Sequence, residues 1–344
     1  MATRRPPPRP HRWWVLPAAV LLALLLAATG WVLGNALRVL AVEDQDPDHP
    51  AAGRGRWVPA QDAKLHVTEQ GAAGAPVLVL VAGTGAWAGT WAGNTDALQS
   101  AGWRVVTVDL PPFGFSSRPL DANYSRHAQA QRLLAAIRSL GTAPVVLLGH
   151  SYGGGAAAEA AMLEPALIRH LILVDAAIGL HAANDPSCEV NPWVEALLGW
   201  RPLRTAVVAT FGTQPLMTRH WLEQLVYRHD AVTPERAATY RQPLKVRGTS
   251  AAIGDWAYQL ATSCEAPRSQ SQAGFAGLRP PLTLLWGAQD DVTPPRQARE
   301  IAAATPGSRL VMLPGVGHLP QIEDPARFNA HLIDLLESIR TAAP

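Results

Sequence analysis

The stretch Val145-Val146-Leu147-Leu148-Gly149-His150-Ser151-Tyr152-Gly153-Gly154-Gly155 constrains this chain more than any other. Its first four residues are apolar, and an alanine-rich run from Ala156 to Ala161 comes after it. The apolar run reads as a short buried strand and the alanines as a helix. A serine on the sharp turn between them would project its hydroxyl from a strained backbone that only flanking glycines tolerate. Gly-x-Ser-x-Gly by itself is weak, because glycine and serine are common in loops, and an idle serine in a turn is the competing reading. The strand before it and the helix after it give the motif its meaning.

The rest of the chain repeats the strand-then-helix pattern. Arg56 to Pro59 and Lys64 to Glu69 read as two strands of a hairpin. Val77 to Val81 is continuously apolar, as a strand of a parallel sheet buried on both faces must be. Thr90 to Ser100 reads as a helix, Trp103 to Leu110 as a strand, Pro111 to Pro119 as a loop and His127 to Leu140 as a helix. After Leu171 to Asp175 the alternation stops, near Ala176, and resumes near Pro281. Strand Leu282 to Trp286, helix Pro295 to Ala304, strand Arg309 to Leu313 and an amphipathic helix from Ala326 to Arg340 complete it. Such alternation implies an α/β fold with a mostly parallel sheet covered on both faces. The core would comprise residues 56–176 and 281–344, and the interruption, 177–280, a helical cap rich in tryptophan.

At 48% hydrophobic residues the chain can build a core. The formal net charge of +2 hides an asymmetry, since the first 38 residues hold five arginines and no acid. The chain beyond them is net negative, which argues against nucleic acid as a partner. Residues 1–12 form a basic, proline-rich tail, expected in the cytoplasm. Residues 13–37 carry no charge, enough to span a bilayer as a signal-anchor, with Trp13, Trp14 and Trp31 near its ends. Arginines before the span and acids after it place the rest of the chain outside the cytoplasm in a single-pass arrangement. A signal peptide cleaved near Ala28-Thr29-Gly30, yielding a secreted protein, is the alternative. Residues 38–55 read as a polar linker.

An activated serine needs a base, and the base needs an orienting group. Downstream of Ser151 an acid lies after one strand, in Trp286-Gly287-Ala288-Gln289-Asp290-Asp291-Val292-Thr293-Pro294. A histidine lies after the next, in Gly315-Val316-Gly317-His318-Leu319-Pro320. In open parallel sheets the carboxyl ends of the strands form the binding edge, so all three loops would meet there.

These three motifs together resemble the α/β-hydrolase superfamily, near its esterase, C–C hydrolase and non-haem haloperoxidase branches. The likeness spans the chain from about Arg56 onward, strongly in the core and poorly in the cap. It implies the α/β-hydrolase fold and a triad of nucleophile Ser151, base His318 and acid Asp290, with Asp291 the close competitor and Asp175 a third site. It also implies an oxyanion hole made by the backbone N–H groups of Tyr152 and Thr84. The family usually has His-Gly where this chain has Ala82-Gly83, and the Asp109 loop carries Pro112 in a glycine's place; that loop reads as structural. Serine rather than aspartate at position 151 excludes the dehalogenase and epoxide hydrolase chemistry of the fold.

The function expected is therefore carboxylic ester hydrolysis, on a small-molecule ester or a lipid-like substrate. C–C bond hydrolysis, acyl transfer or perhydrolysis with the same triad is the second reading, and a catalytically silent binding protein the third. Neither cofactor nor metal is called for. Cys188 and Cys264 lack metal-ligand spacing, and in an exported domain oxidising conditions permit a bridge between them.

Overall fold

The computed structural model describes residues 15–49, 52–53, 55–141, 144–180, 190 and 192–341. The basic tail, Trp13, Trp14 and Cys188 lie outside the described residues. A long helix, α1 (Val15–Val42), leads into the hairpin β1 (Gly55–Ala60) and β2 (Ala63–Gln70). Then come β3 (Val77–Val81), α2 (Ala92–Ser100), β4 (Arg104–Val108), α3 (Arg126–Ser139), β5 (Val145–His150), α4 (Tyr152–Leu163) and β6 (Ile168–Val174). The interruption holds short helices: α5 (Pro192–Leu198), α6 (Arg201–Val207), α7 (Met217–Glu223), α8 (Pro234–Arg241), α9 (Thr249–Thr262) and α10 (Gln272–Ala276). The alternation closes with β7 (Leu282–Gly287), α11 (Pro295–Ala304), β8 (Arg309–Leu313), α12 (Pro320–Glu323) and α13 (Pro325–Thr341).

The eight strands form one sheet in the order β1-β2-β4-β3-β5-β6-β7-β8. β1–β2 and β2–β4 pair antiparallel, and every other pair is parallel. The side-chain period of two divides the apolar strands between two cores. Val79, Val81, Leu147 and Leu173 face one side, covered by α3, α4 and α11. Leu78, Leu80, Leu148 and Ile172 face the other, covered by α2 and α13. Burial on both faces is why these strands read as unbroken apolar runs. Each expected core strand and helix falls within a few residues of its observed position, and the family's fold class is the one observed.

The first helix shows an abrupt change of surroundings along its length. From Leu16 to Leu33 its side chains project away from the rest of the chain, and it is long and apolar enough to cross a membrane. From Asn35 onward it packs on the cap. Gln214 Nε2 donates to Asn35 Oδ1 (2.5 Å), and Arg38 donates to the carbonyls of Ala209 (3.0 Å) and Thr213 (3.4 Å). Val39 and Glu43 are buried. The Glu43 carboxylate accepts the N–H of Ser250 at 2.9 Å and its hydroxyl. Burial holds the Glu43 carboxyl above its ordinary range despite those two bonds. Gln45 then pairs with the backbone of Lys245 and Arg247. Part of the stretch read from sequence as a linker is thus helix and cap contact.

These contacts make a prediction about length. A chain shortened to begin at Asp46 should unfold earlier in urea than one beginning at Trp31, by about 2 kcal/mol or more, the scale of hydrogen bonds to a buried charged group. Hydrogen exchange should quicken in residues 201–214 and 249–252. Equal urea midpoints for the two chains would show that the α1 contacts contribute nothing to the cap.

Candidate active site

Ser151 stands between β5 and α4 with φ 50° and ψ −121°, a left-handed conformation that costs a non-glycine residue of order 1–3 kcal/mol. Its N–H donates to Val174 O (3.0 Å), and its carbonyl accepts from Gly154 N (2.9 Å) and Ala177 N (3.0 Å). The end of β6 therefore fixes the turn. A Cβ on Gly153 would lie 2.4 Å from Ala82 O, and one on Gly83 would lie 2.8 Å from Ser151 Cβ. Only bare backbone lets the loop after β3 come this close to the serine.

The histidine and the acid arrive from the next two loops along the same edge. Ser151 Oγ lies 2.9 Å from His318 Nε2, and His318 Nδ1 lies 2.9 Å from Asp290 Oδ2, with all three residues buried. Asp290 Oδ1 accepts the N–H groups of Val292 (2.8 Å) and Thr293 (2.9 Å), and Oδ2 also accepts the Thr293 hydroxyl (2.6 Å). Burial works against the Asp290 charge, but bonds from His318 and Thr293 outweigh it and hold the carboxyl below its ordinary range. Asp291, the competing acid, is exposed. Thr84 and Tyr152 both flank Ser151, and neither backbone N–H has a backbone acceptor among the described residues.

Three supports were not evident from the motifs alone. Asp175 is fully buried at φ 42° beneath the triad, with Oδ1 accepting Gly287 N–H at 2.8 Å. Its Oδ2 finds no hydrogen-bond partner among the described residues, and one of its carboxyl oxygens lies within 4.8 Å of ligand atoms on Asp290 and His318. Burial, then the Asp290 charge, push its carboxyl well above the ordinary range. Glu323, five residues after His318, accepts the N–H groups of Gly317 (3.0 Å) and Leu319 (3.1 Å). It also accepts those of Tyr227 and Arg228 in the cap, both at 2.9 Å. One buried carboxylate thus ties the histidine loop to the cap. His150 donates through Nε2 to His318 O (2.9 Å), and burial lowers its pKa to about 3, so it braces the loop as a neutral ring.

Above Ser151 lies a cavity of about 540 Å³, walled by Phe113, Trp221, Leu222, Leu225, Tyr240 and Ile253. Among the described residues no lysine or arginine lines it. Trp221 is the cap tryptophan that reaches it, while Trp256 packs edge-on against Phe113 and Tyr152 instead. The Asp109 loop has a structural role. The Asp109 carboxylate accepts His66 Nδ1 (2.9 Å), Ala88 N (2.6 Å) and Phe115 N (2.9 Å). Cys264 is disulfide-bonded.

The state of Asp175 has a measurable consequence. Below about pH 4 an aspartic acid is neutral in both folded and unfolded chains, and the stability that its raised pKa confers is fully present. As pH climbs, the unfolded chain ionises while the folded one resists, and that stability is lost progressively up to the folded pKa. Asp175→Asn, a neutral mimic, should therefore gain in melting temperature over the parent as pH rises from 5 to 8. A constant difference across that range would mean that Asp175 is ionised in the fold.

A profile for the alpha/beta hydrolase fold matches residues 76–325. An uncharacterized protein of Mycobacterium tuberculosis is 31% identical over 274 residues, covering 76% of this chain and 74% of its own. The 2-hydroxymuconate semialdehyde hydrolase of a Pseudomonas strain is 24% identical, covering 84% of this chain and 96% of its own. Among solved structures, a membrane phospholipase A described as a bacterial virulence factor superposes with a TM-score of 0.66 at 24% identity, covering 96% of this chain and 100% of its own. The profile match extends over the elbow, the acid loop, the histidine loop and the cap between them, and the chain belongs to the α/β-hydrolase fold family.

Proposed function

We propose that this chain is a serine hydrolase that cleaves carboxylic esters through an acyl-enzyme, held at a membrane by α1 with its catalytic domain outside the cytoplasm. The observation that carries the reading is the continuous path from Ser151 Oγ to His318 Nε2, and from His318 Nδ1 to Asp290, at 2.9 Å in each step. In it, Ser151 attacks the ester carbonyl as His318 Nε2 takes its proton. Asp290 keeps the proton on Nδ1 and stabilises the imidazolium. The oxyanion is met by the N–H groups of Thr84 and Tyr152, each worth roughly 3 kcal/mol in comparable sites. His318 returns the proton to the departing alcohol, and water then releases the acid by the same sequence.

The cavity supports an ester with an apolar acyl group, because its walls are apolar and no lysine or arginine among the described residues lines it. The phospholipase likeness points the same way. The likeness to a hydrolase of 2-hydroxymuconate semialdehyde favours C–C cleavage as the second reading. A cavity lined by no lysine or arginine among the described residues suits an anionic substrate of that kind less well. A bridge from Cys264 to Cys188 fits an exported domain.

Two measurements test the chemistry. With p-nitrophenyl esters of increasing acyl length, Ser151→Ala should lose activity by about 10⁴-fold or more without unfolding. Retained turnover in that variant would remove the mechanism. Asp290→Asn should also lose about 10⁴-fold, since the amide cannot hold the required tautomer. Asp175→Asn should stay within about tenfold of the parent, because burial and the Asp290 charge both favour the neutral form that the amide mimics. The reverse ranking would make Asp175 the triad acid.

A further inference from the structure

One stretch of the cap meets three separate demands. Its π-helical turn (Val208–Gly212) and the residues after it receive α1, through Arg38 on Ala209 O and Thr213 O and through Gln214 on Asn35. The same stretch leaves large apolar side chains in the open, with Phe211 50%, Leu216 78% and Trp221 44% exposed. It also walls the cavity over Ser151, through Gly212, Thr218, Trp221 and Leu222. Trp221 is at once half-exposed and a wall of the cavity, so it stands at the mouth.

The position of α1 says what lies against that mouth. From Leu16 to Leu33 the helix rises about 27 Å at ~1.5 Å per residue, close to the ~30 Å of a bilayer's hydrocarbon core. Its first polar contacts with the cap, at Asn35 and Arg38, come one turn beyond. Trp31, 54% exposed, marks the level at which aromatic side chains favour the headgroups. Phe211 is flanked in the chain by the two carbonyls that hold Arg38, and so lies beside the last turns of α1, about 10 Å beyond Trp31 at ~1.5 Å per residue. Leu37 and Leu40, 66% and 79% exposed, extend the apolar surface along α1 past the docking point. An apolar surface in water is costly, at roughly 25 cal/mol per Å². A bilayer interface removes that cost for all of these side chains together.

We propose that the cap face formed by Phe211, Leu216 and Trp221 rests in the bilayer interface beside α1, and that the site takes amphipathic lipid esters directly from the adjoining leaflet. The acyl chain enters past Trp221 into the apolar cavity, and the polar headgroup stays at the rim. The substrate class rests on the ester-hydrolase reading; the docked face does not.

The test uses the full chain in phosphatidylethanolamine–phosphatidylglycerol vesicles. Leu216→Cys and Asp334→Cys, the latter on an exposed site of α13 remote from the cap, are each labelled with an environment-sensitive fluorophore. The probe at 216 should shift to the blue and be quenched by spin-labelled lipid, and the probe at 334 should not. Equal quenching at both would overturn the docked face whatever the activity. Leu216→Glu, which alters neither the triad nor the cavity wall, should then lose about tenfold or more against long-chain lipid in the vesicles. Its turnover of a soluble short-chain ester should stay within about twofold of the parent. Unchanged lipid hydrolysis in this variant would overturn entry from the leaflet. Absence of soluble-ester turnover in the parent would sink the ester reading and with it the lipid-ester substrate, while the quenching still decides the docking.

Discussion

The geometry of the candidate site depends on holding one serine in a backbone conformation that it would not choose. Ser151 is kept at φ 50° because its N–H and carbonyl are both engaged by the end of β6 and the residues just after it. A strain of order 1–3 kcal/mol persists only when neighbours over-determine it. The central parallel strands supply that rigidity, since β3, β5 and β6 are buried on both faces. The turn directs the hydroxyl toward His318, and the glycines around it let the β3 loop approach the serine closely.

The remaining members of the site are fixed by buried polar groups rather than by packing. Four backbone N–H groups converge on Glu323, two from the histidine loop and two from the cap. Such bonds to a charged acceptor are individually stronger than neutral ones, and a shift of the cap cannot leave the histidine loop unaffected. Asp290 is made a good anion by its donors, and Asp175 a poor one by burial and by that anion. Two carboxyls on neighbouring strand ends are thus pushed in opposite directions, as like charges at close range are.

Much of this was legible in the sequence, for identifiable reasons. Strands buried on both faces leave an unbroken apolar run, so Val77 to Val81 and Val145 to Leu148 could be placed directly. The serine, acid and histidine motifs lie in loops whose local chemistry is set by nearby residues. Asp290 could not be separated from Asp291 or Asp175 by local pattern alone, because the distinction depends on which carboxylate faces His318 across the sheet edge. The cap was read only as helical. Helices of seven or eight residues such as α5, α6 and α7 carry too few turns to show a face, and their partners lie far away in sequence. Asn35, Arg38 and Glu43 looked like the polar flank of an apolar span; their bonds to residues 209–214 and 250 are invisible to any local reading.

Those distant bonds change what the first helix is for. A tether joined by a free linker would only raise the enzyme's concentration near the membrane, with every orientation allowed. Here the helix continues without interruption from its exposed apolar length into the cap, and Arg38, Glu43 and Gln45 are each bonded there. In the anchored arrangement proposed above, orientation would be set along with location, and the cavity mouth at Trp221 would keep a fixed height relative to α1. The contacts at Asn35 and Arg38 are few and partly buried, so the coupling works in both directions. Whatever tilts α1 must press on the π-helical turn that walls the cavity, and whatever fills the cavity must be felt at the base of the helix.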